Sequence, residues 1–157
     1  FCNCDRNNCD NYKRVTVMTE IDPRIGKFIA KHHVLTLATA TADGEPYCCN
    51  VFYAYDKTSG AFIFTSDNTT HHAAMMLQNS RVAASVVLET RIVGRVQGLQ
   101  ITGQVGRATD SDKTLYLKRF PYAVVADLTL WRLEADMMKL TDNTLGFGKK
   151  LIWQSEE

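Results

Sequence analysis

Residues 61–79 read AFIFTSDNTTHHAAMMLQN, and this stretch decides the fold. Ala61 to Ser66 is rich in aromatic and β-branched residues, which predicts a short strand. Asp67 to Thr70 is a run of helix-capping residues, and the pattern after it predicts a short helix over 70–79. We expect this helix to bury three apolar side chains, Ala73, Met76 and Leu77. A strand is therefore followed almost at once by the start of a helix.

The segment before this stretch predicts a helix and then a β-hairpin. Asp22-Pro23 is typical of a helix N-terminus, and apolar residues then recur at helical spacing as far as Lys31. From Val34 the period changes to two. Residues 34–41 and 47–55 read as strands, joined by the turn residues Asp43-Gly44. The first three strands thus follow one another as a meander.

The segment after this stretch adds three strands and one helix. We predict strands over 82–88, 99–108 and 128–140, and a helix that begins near Asp110 and ends near Arg119, shortly before a proline. Six short strands with three helices between them predict an α+β, mainly β fold. The expected architecture is an antiparallel barrel rather than a doubly wound parallel sheet, which needs alternating strands and helices.

The length of 157 residues predicts a single domain. Residues 1–17 are polar, rich in Asn and Asp, and without a helical or strand period, so we expect an N-terminal extension outside the fold. Residues 18–157 are then the domain. No basic segment followed by an apolar run opens the chain, and the expected location is cytoplasmic.

The charge balance excludes some partners. Eighteen Lys and Arg residues against 17 Asp and Glu residues give a net charge of +1, so we expect no nucleic-acid partner. The longest apolar runs, such as Val51 to Tyr55, are far shorter than the ~20 residues of a membrane-spanning helix, and we expect no membrane partner.

Five cysteines form two groups, and their odd number argues against a disulfide framework. Cys2, Cys4 and Cys9 could hold a metal or could belong to a passive extension. With no fourth ligand nearby, we expect no metal site. Cys48 and Cys49 could form a redox pair or be small buried thiols. Neighbouring side chains on a strand point to opposite faces, which favours the second interpretation.

The polar cluster Thr69 to His72 stands where the strand ends and the helix begins. The first N–H groups of a helix are unpaired and its dipole favours an anion, while hydroxyls and imidazoles add donors, so a ligand phosphate could bind there. Equally, the threonines could simply cap the helix and the histidines lie at the surface. The chain shows no nucleophile elbow, P-loop or HExxH motif.

The order of helix, hairpin, a strand ending in FIFTS and a helix opening with THH resembles the FMN-binding split-barrel superfamily of pyridoxamine 5'-phosphate oxidase. Within it, KHHVLTLAT, the KRFP at 118–121 and TDNTLGFGKKLIW at 141–153 look like those of a small group of uncharacterised bacterial proteins. The resemblance covers residues 18–153. It implies an antiparallel split β-barrel with short helices and a homodimer with FMN between its subunits.

This resemblance also implies roles for individual residues. Asn50, Val51 and Phe52 would line the flavin, and Phe64 and Thr65 would meet the ribityl chain and the phosphate. The phosphate would be held by Thr70, His71 and His72, which stand where the oxidase has Ser, Arg and Lys. Lys149 or Trp153 in the C-terminal tail would close over the ring.

Several positions depart from the oxidase pattern. Cys48 and Tyr53 stand where the oxidase has Arg and Lys, and Lys139 to Thr141 replaces its substrate-binding Arg-x-His. We therefore do not expect pyridoxamine phosphate oxidation.

The first functional hypothesis is an FMN-dependent oxidoreductase of an unknown small molecule, with NAD(P)H as a candidate electron donor. The alternative is a non-enzymatic flavin or heme binding or storage protein on the same barrel.

Overall fold

The computed structural model describes residues 17, 18, 20–147 and 149–156. Its eight strands are β1 (Val17–Met18), β2 (Val34–Ala40), β3 (Pro46–Asp56), β4 (Ala61–Thr65), β5 (Arg81–Val87), β6 (Gln97–Arg107), β7 (Leu130–Asp142) and β8 (Lys150–Gln154). Its three α-helices are α1 (Pro23–Lys31), α2 (His71–Gln78) and α3 (Asp110–Arg119). Short 3₁₀ turns occupy Val93–Arg95, Pro121–Val125 and Asn143–Leu145.

Six of the strands close into an antiparallel barrel. The sheet runs in the order β1-β8-β7-β4-β3-β2-β5-β6, and an additional pairing of β6 with β7 closes β7-β4-β3-β2-β5-β6 into a ring. The predicted antiparallel barrel is therefore confirmed. Closure leaves no open edge among these six strands. The two strands that the sequence analysis did not predict, β1 and β8, lie outside the ring.

The strand β8 extends the sheet beside the second half of β7, where β4 no longer pairs with β7. β1 pairs with β8 in parallel, through Val17 with Ile152 and Met18 with Trp153. Val17, which we expected to end the extension, thus belongs to the sheet. The expected extension and its three cysteines otherwise fall in residues 1–16, outside the described residues.

Side chains that point into the barrel form one continuous core. It includes Leu35, Leu37, Tyr53, Phe62, Phe64, Leu99, Ile101, Leu133 and Met138, all almost fully buried. The strands β2, β5 and β6 alternate strictly between buried and outward-facing residues over most of their length. This period of two places every second side chain of these strands on the outside of the barrel.

The helix α2 buries Ala73, Met75 and Met76, of which Ala73 and Met76 belong to the barrel core. The expectation that Leu77 is buried is wrong, because its side chain is 62% exposed. On a helix of eight residues, Met75 and Met76 already occupy the inward side, so Leu77 turns toward solvent. The helix α1 buries Ile25, Phe28 and Ile29 and begins at Asp22, whose carboxylate accepts the Arg24 N–H.

A β-bulge between Thr102 and Gly103 shifts the register of β6 against β7. A side chain at position 103 would overlap the backbone carbonyl of Glu134, so the close approach of the two strands requires a glycine there. None of the helices described is long and apolar enough to cross a membrane.

Candidate functional site

Three polar side chains meet where β4 ends and α2 begins. The Ser66 hydroxyl lies 2.5 Å from Nε2 of His72 and 3.0 Å from the Thr70 hydroxyl. Thr70 is the N-cap of α2: its hydroxyl accepts the Ala73 N–H and donates to the Asp67 carbonyl. We call Ser66, Thr70 and His72 the polar cluster. It lies beside the first N–H groups of the helix, where a helix favours an anion.

The His72 imidazole is neutral at pH 7. Burial first, and then the neighbouring His71, lowers its pKa below its ordinary value of 6.5. The Tyr47 ring stacks on the His72 ring at 6.4 Å and meets the exposed His71 ring edge-on at 4.9 Å. Tyr47 has the parity of Cys49 and Val51 on β3, whereas its neighbour Cys48 points to the opposite, outer side of the barrel. The polar cluster therefore lies beside the first residues of β3.

The donors of the polar cluster depend on the proton state of His72. When Nε2 is unprotonated, the imidazole accepts a hydrogen bond from the Ser66 hydroxyl, and the hydroxyl proton is not available to a ligand. With Nε2 protonated, the imidazole donates to Ser66, whose hydroxyl can then donate to a phosphate oxygen. Protonation of His72 thus adds a positive charge and releases the Ser66 proton, for which the Thr70 hydroxyl oxygen, 3.0 Å away, and a phosphate oxygen are the acceptors. This donor set fits a phosphate monoester.

One cation beside this site was missed by the sequence analysis. The Arg107 guanidinium lies 4.0 Å above the Trp131 ring and donates to Oδ1 of Asn68, 2.6 Å away, in the loop that leads into α2. The Trp131 indole N–H donates in turn to the Ser66 carbonyl. A permanent positive charge is therefore fixed next to the polar cluster. Nothing local in the sequence indicates it, because β6 and β7 bring Arg107 and Trp131 to this end of the barrel.

Within the outward surface of β2, β3, β5 and β6, two rows of small, polar and apolar side chains carry no charge. Arg81 on β5 and Lys139, which pairs with Gln100 from β7, lie next to these rows. Strand register aligns Asn50 with Thr36, Thr36 with Ser85 and Ser85 with Gln100. A second row aligns Cys48, Ala38, Ala83 and Thr102. We call these two rows, together with Val34, Phe52 and Val87 at their border, the outer face.

The outer face offers hydrogen-bonding groups and an apolar border. Thr36 donates to Oδ1 of Asn50 at 2.8 Å, while Ser85 and Gln100 are exposed. Phe52 is 56% exposed, and Val87 is 64% exposed. A surface of this kind suits one side of a planar ring whose edge carries donors and acceptors.

The residues expected to line a flavin fall into two groups. Asn50 and Phe52 lie on the outer face, and Thr70, His71 and His72 lie at the start of α2, as expected. The side chains of Val51 and Phe64 point into the barrel and are buried, so only their backbones could meet a ligand on the outside. The Thr65 hydroxyl donates to the Thr129 carbonyl. Sequence reasoning missed Thr36, Ser85 and Gln100.

Within one chain the two tail residues do not join this site. Trp153 is 8% exposed and lies close to Gly60, just before the start of β4, whereas the polar cluster follows the end of β4. Lys149 is exposed in the turn before β8. Lys149 is therefore accessible to a second copy, whereas Trp153 packs within its own chain.

The positions where the oxidase pattern has cations carry none. Tyr53 is fully buried and its hydroxyl donates to the Ile29 carbonyl at 2.8 Å, while burial raises its pKa far above the usual value. Cys48 is exposed on the outer face, and Cys49, on the opposite side of β3, is half-buried with a pKa raised by burial. Among the described residues, no group of three or more His, Cys, Asp or Glu side chains could hold a metal.

A second polar region surrounds Arg132 on β7. Its guanidinium pairs with Asp112 at 2.5 Å and Glu134 at 3.2 Å, donates to the Ser59 hydroxyl at 2.6 Å and lies 3.6 Å from Asp56. We call these five residues the arginine cluster. A cavity of about 390 Å³ adjoins it and is also lined by Gln104, Asp136, Trp153 and Ser155.

A comparison with known families identifies the chain. The family described as Pyridoxamine 5'-phosphate oxidase matches residues 21–141, most of the barrel. The chain belongs to this family. A UPF0306 protein of Photorhabdus laumondii is 39% identical over 134 residues, which cover 83% of this chain and 93% of that protein. A UPF0306 protein of Klebsiella pneumoniae is 37% identical over 84% of this chain and 92% of its own length.

Solved structures share the split-barrel fold at low sequence identity. A heme binding protein from Mycobacterium smegmatis has a TM-score of 0.68 at 18% identity, covering 81% of this chain and 55% of that one. The heme storage protein HutZ of Vibrio cholerae has a TM-score of 0.60 at 16% identity, covering 74% and 90%. An FAD-binding protein from Mesorhizobium loti has a TM-score of 0.64 at 17% identity, covering 75% and 90%. Proteins of this fold thus bind flavin or heme.

Proposed function

We propose that this protein is an FMN-binding oxidoreductase that acts as a homodimer on a small molecule in the cytoplasm. The observation that carries the proposal is that one strand, β3, joins the two regions: its Tyr47 contacts His72 of the polar cluster, and its Asn50 and Phe52 belong to the outer face. The cluster supplies donors for a phosphate, and the outer face supplies a bed for a planar ring. Bound FMN would supply hydride transfer between a donor such as NAD(P)H and the small-molecule acceptor.

The protein's own residues would hold the cofactor at two places. Ser66, His72 and the N–H groups at the start of α2 would bind the phosphate, with Arg107 as the fixed charge nearby. Asn50, Ser85 and Gln100 would direct their amide and hydroxyl groups to the edge of the ring. Phe52 would exclude water at the border.

The outer face also supports the dimer. It exposes Val34, Phe52 and Val87 and carries no charge, as is common at the centre of a protein interface. A second copy would cover the ring on its free side and bring its own tail, with Lys149, toward the flavin. The cofactor would then lie between two subunits, neither of which binds it fully alone.

Three measurements on one sample test the proposal. FMN fluorescence should be quenched with a saturable profile at micromolar protein. Light scattering should report about twice the chain mass of 17.7 kDa. The bound flavin should bleach anaerobically on addition of NADH or NADPH. Absence of FMN binding contradicts the proposal, whereas FMN binding without bleaching by either donor contradicts only the oxidoreductase activity.

The second candidate is a heme binding or storage protein. His71 favours it, because its imidazole is exposed and histidine is a common axial ligand of heme iron. The structures from Mycobacterium smegmatis and Vibrio cholerae carry heme names. Titration with hemin distinguishes the candidates. A heme protein should give a shifted Soret band that is lost in His71→Ala, and it should leave the fluorescence of added FMN unquenched.

A further inference from the structure

A second cavity lies at the other side of the barrel wall from the outer face. It has a volume of about 270 Å³ and lies between α1, the last residues of β7 and the 3₁₀ turn that follows β7. Its apolar wall is formed by Phe28, Leu140 and Leu145. Phe28 and Leu140 point into the core, whereas the outer face is formed by side chains of the opposite parity. The cavity is therefore separate from the proposed flavin site.

The rim of the cavity is basic. Arg24, Lys27 and Lys31 follow one another at spacings of three and four, which places them on one side of α1. Arg24 is held by Asp22, with a 2.7 Å ion pair and two further hydrogen bonds. Over the residues that the structure describes, Lys27 and Lys31 form no ion pair. Within this part of the chain, two positive charges at the rim thus have no acidic side chain in contact.

One acid lines the same cavity, and its oxygens are engaged. Asp142 accepts hydrogen bonds from Gln97 Nε2 at 2.8 Å, from the Thr144 N–H at 2.9 Å and from the Thr144 hydroxyl at 2.6 Å. Its negative charge is fixed on the side of the cavity formed by β6 and the turn after β7. A ligand anion would avoid that side and lie at the two lysines.

We infer that this cavity binds a small amphiphilic carboxylate, with its acid group at Lys27 and Lys31 and its hydrocarbon body against Phe28, Leu140 and Leu145. A hydrocarbon chain is more stable against this apolar wall than in water, because binding removes its apolar surface from water. The volume lies just below the ordinary range of small-molecule pockets, which restricts the ligand to a short or medium chain. The flavin proposal plays no part in this inference.

The test is a titration with sodium octanoate, followed through the methyl NMR signals of Leu140 and Leu145. These signals should shift with a saturable profile, and the affinity should fall as salt is added. Octanol and octylammonium, which share the hydrocarbon chain, should bind more weakly. Equal binding of octylammonium, or shifts that do not saturate, would overturn the inference.

Paired substitutions sharpen the test. Lys27→Gln/Lys31→Gln should weaken octanoate binding about tenfold, whereas Lys27→Arg/Lys31→Arg should retain it. The matched control is Lys113→Gln/Lys118→Gln, which removes two exposed lysines from α3 and should change the affinity less than about twofold. All four positions are on the surface, so folding should be unaffected. If the Lys27/Lys31 glutamine variant binds octanoate as the parent does, the inference is wrong.

Discussion

The outer face and the arginine cluster are both polar regions of one barrel wall, yet they use their polar groups differently. In the arginine cluster, Arg132 already contacts two acids and a hydroxyl from two other parts of the chain, the end of β3 with the turn after it and the helix α3. On the outer face, Ser85 and Gln100 remain exposed beside Phe52 and Val87. The first region stabilises its own chain, and the second leaves its donors for a ligand or a second copy.

The arginine cluster should give the largest effect on stability. Arg132→Met leaves the Asp112 carboxylate buried without its cation, because Asp112 is 3% exposed. We expect a loss of about 3 kcal/mol in the free energy of unfolding, measured by urea denaturation. Arg81→Met, which breaks the exposed pair with Asp136, is the control and should cost less than about 1 kcal/mol. Equal losses would show that the arginine cluster stabilises the fold no more than an exposed ion pair does.

The outer face should affect both binding and dimerisation. Gln100→Glu adds one negative charge with little change of shape at the β6 end of the outer face. We expect FMN binding and dimerisation to weaken about tenfold, since Lys139, which pairs with Gln100 from β7, offsets only part of the cost of burying the charge. Gln104→Glu, on the same strand but beside Arg132, is the matched control and should leave both unchanged. If Gln100→Glu and Gln104→Glu change FMN binding and dimerisation equally, the outer face is no more a binding surface than the arginine cluster.

The polar cluster should give a pH-dependent effect. The lowered pKa keeps His72 neutral in the free protein near pH 7. A bound phosphate raises the pKa of His72, because a nearby negative charge favours the protonated imidazole. Binding therefore takes up a proton, and the affinity for FMN should rise about tenfold from pH 8 to pH 6, levelling off below the free pKa. His72→Arg should flatten this profile.

The FMN phosphate titrates in the same range, so the informative quantity is the difference between parent and His72→Gln at each pH. His33→Gln, an exposed histidine after α1, is the control and should retain the parent's profile. A parent and a His72→Gln variant with the same pH dependence would show that His72 does not bind the phosphate.

The strands of the barrel were predictable because each has a period of two or is bounded by turn residues, and these are local signals. The strands β1 and β8 were not, because they are short and exist through pairing with each other and with β7. The burial of Leu77 was predicted wrongly because several apolar residues of α2 are adjacent in the sequence. The packing of the helix on the barrel decides which of them face inward.

The start of α2 was predictable as a candidate site because its capping residues and histidines are contiguous in the sequence, and its role in binding stays a prediction. The row that joins Thr36, Ser85 and Gln100 was not, because it comes from the lateral register of strands far apart along the chain. For the same reason no local pattern indicates that Arg107 lies beside Asn68. Contacts between distant segments are fixed by the tertiary fold rather than by local pattern.

The most direct test of the central claim is the pattern of backbone amide NMR shifts when FMN is added to the protein. The account predicts shifts at Thr36, Asn50, Ser85 and Gln100 and at the first residues of α2. It predicts unchanged signals for Ser59, Asp112 and Glu134 in the arginine cluster. Shifts centred on the arginine cluster, or no shifts at all at saturating FMN, would contradict the claim that the outer face is the flavin site.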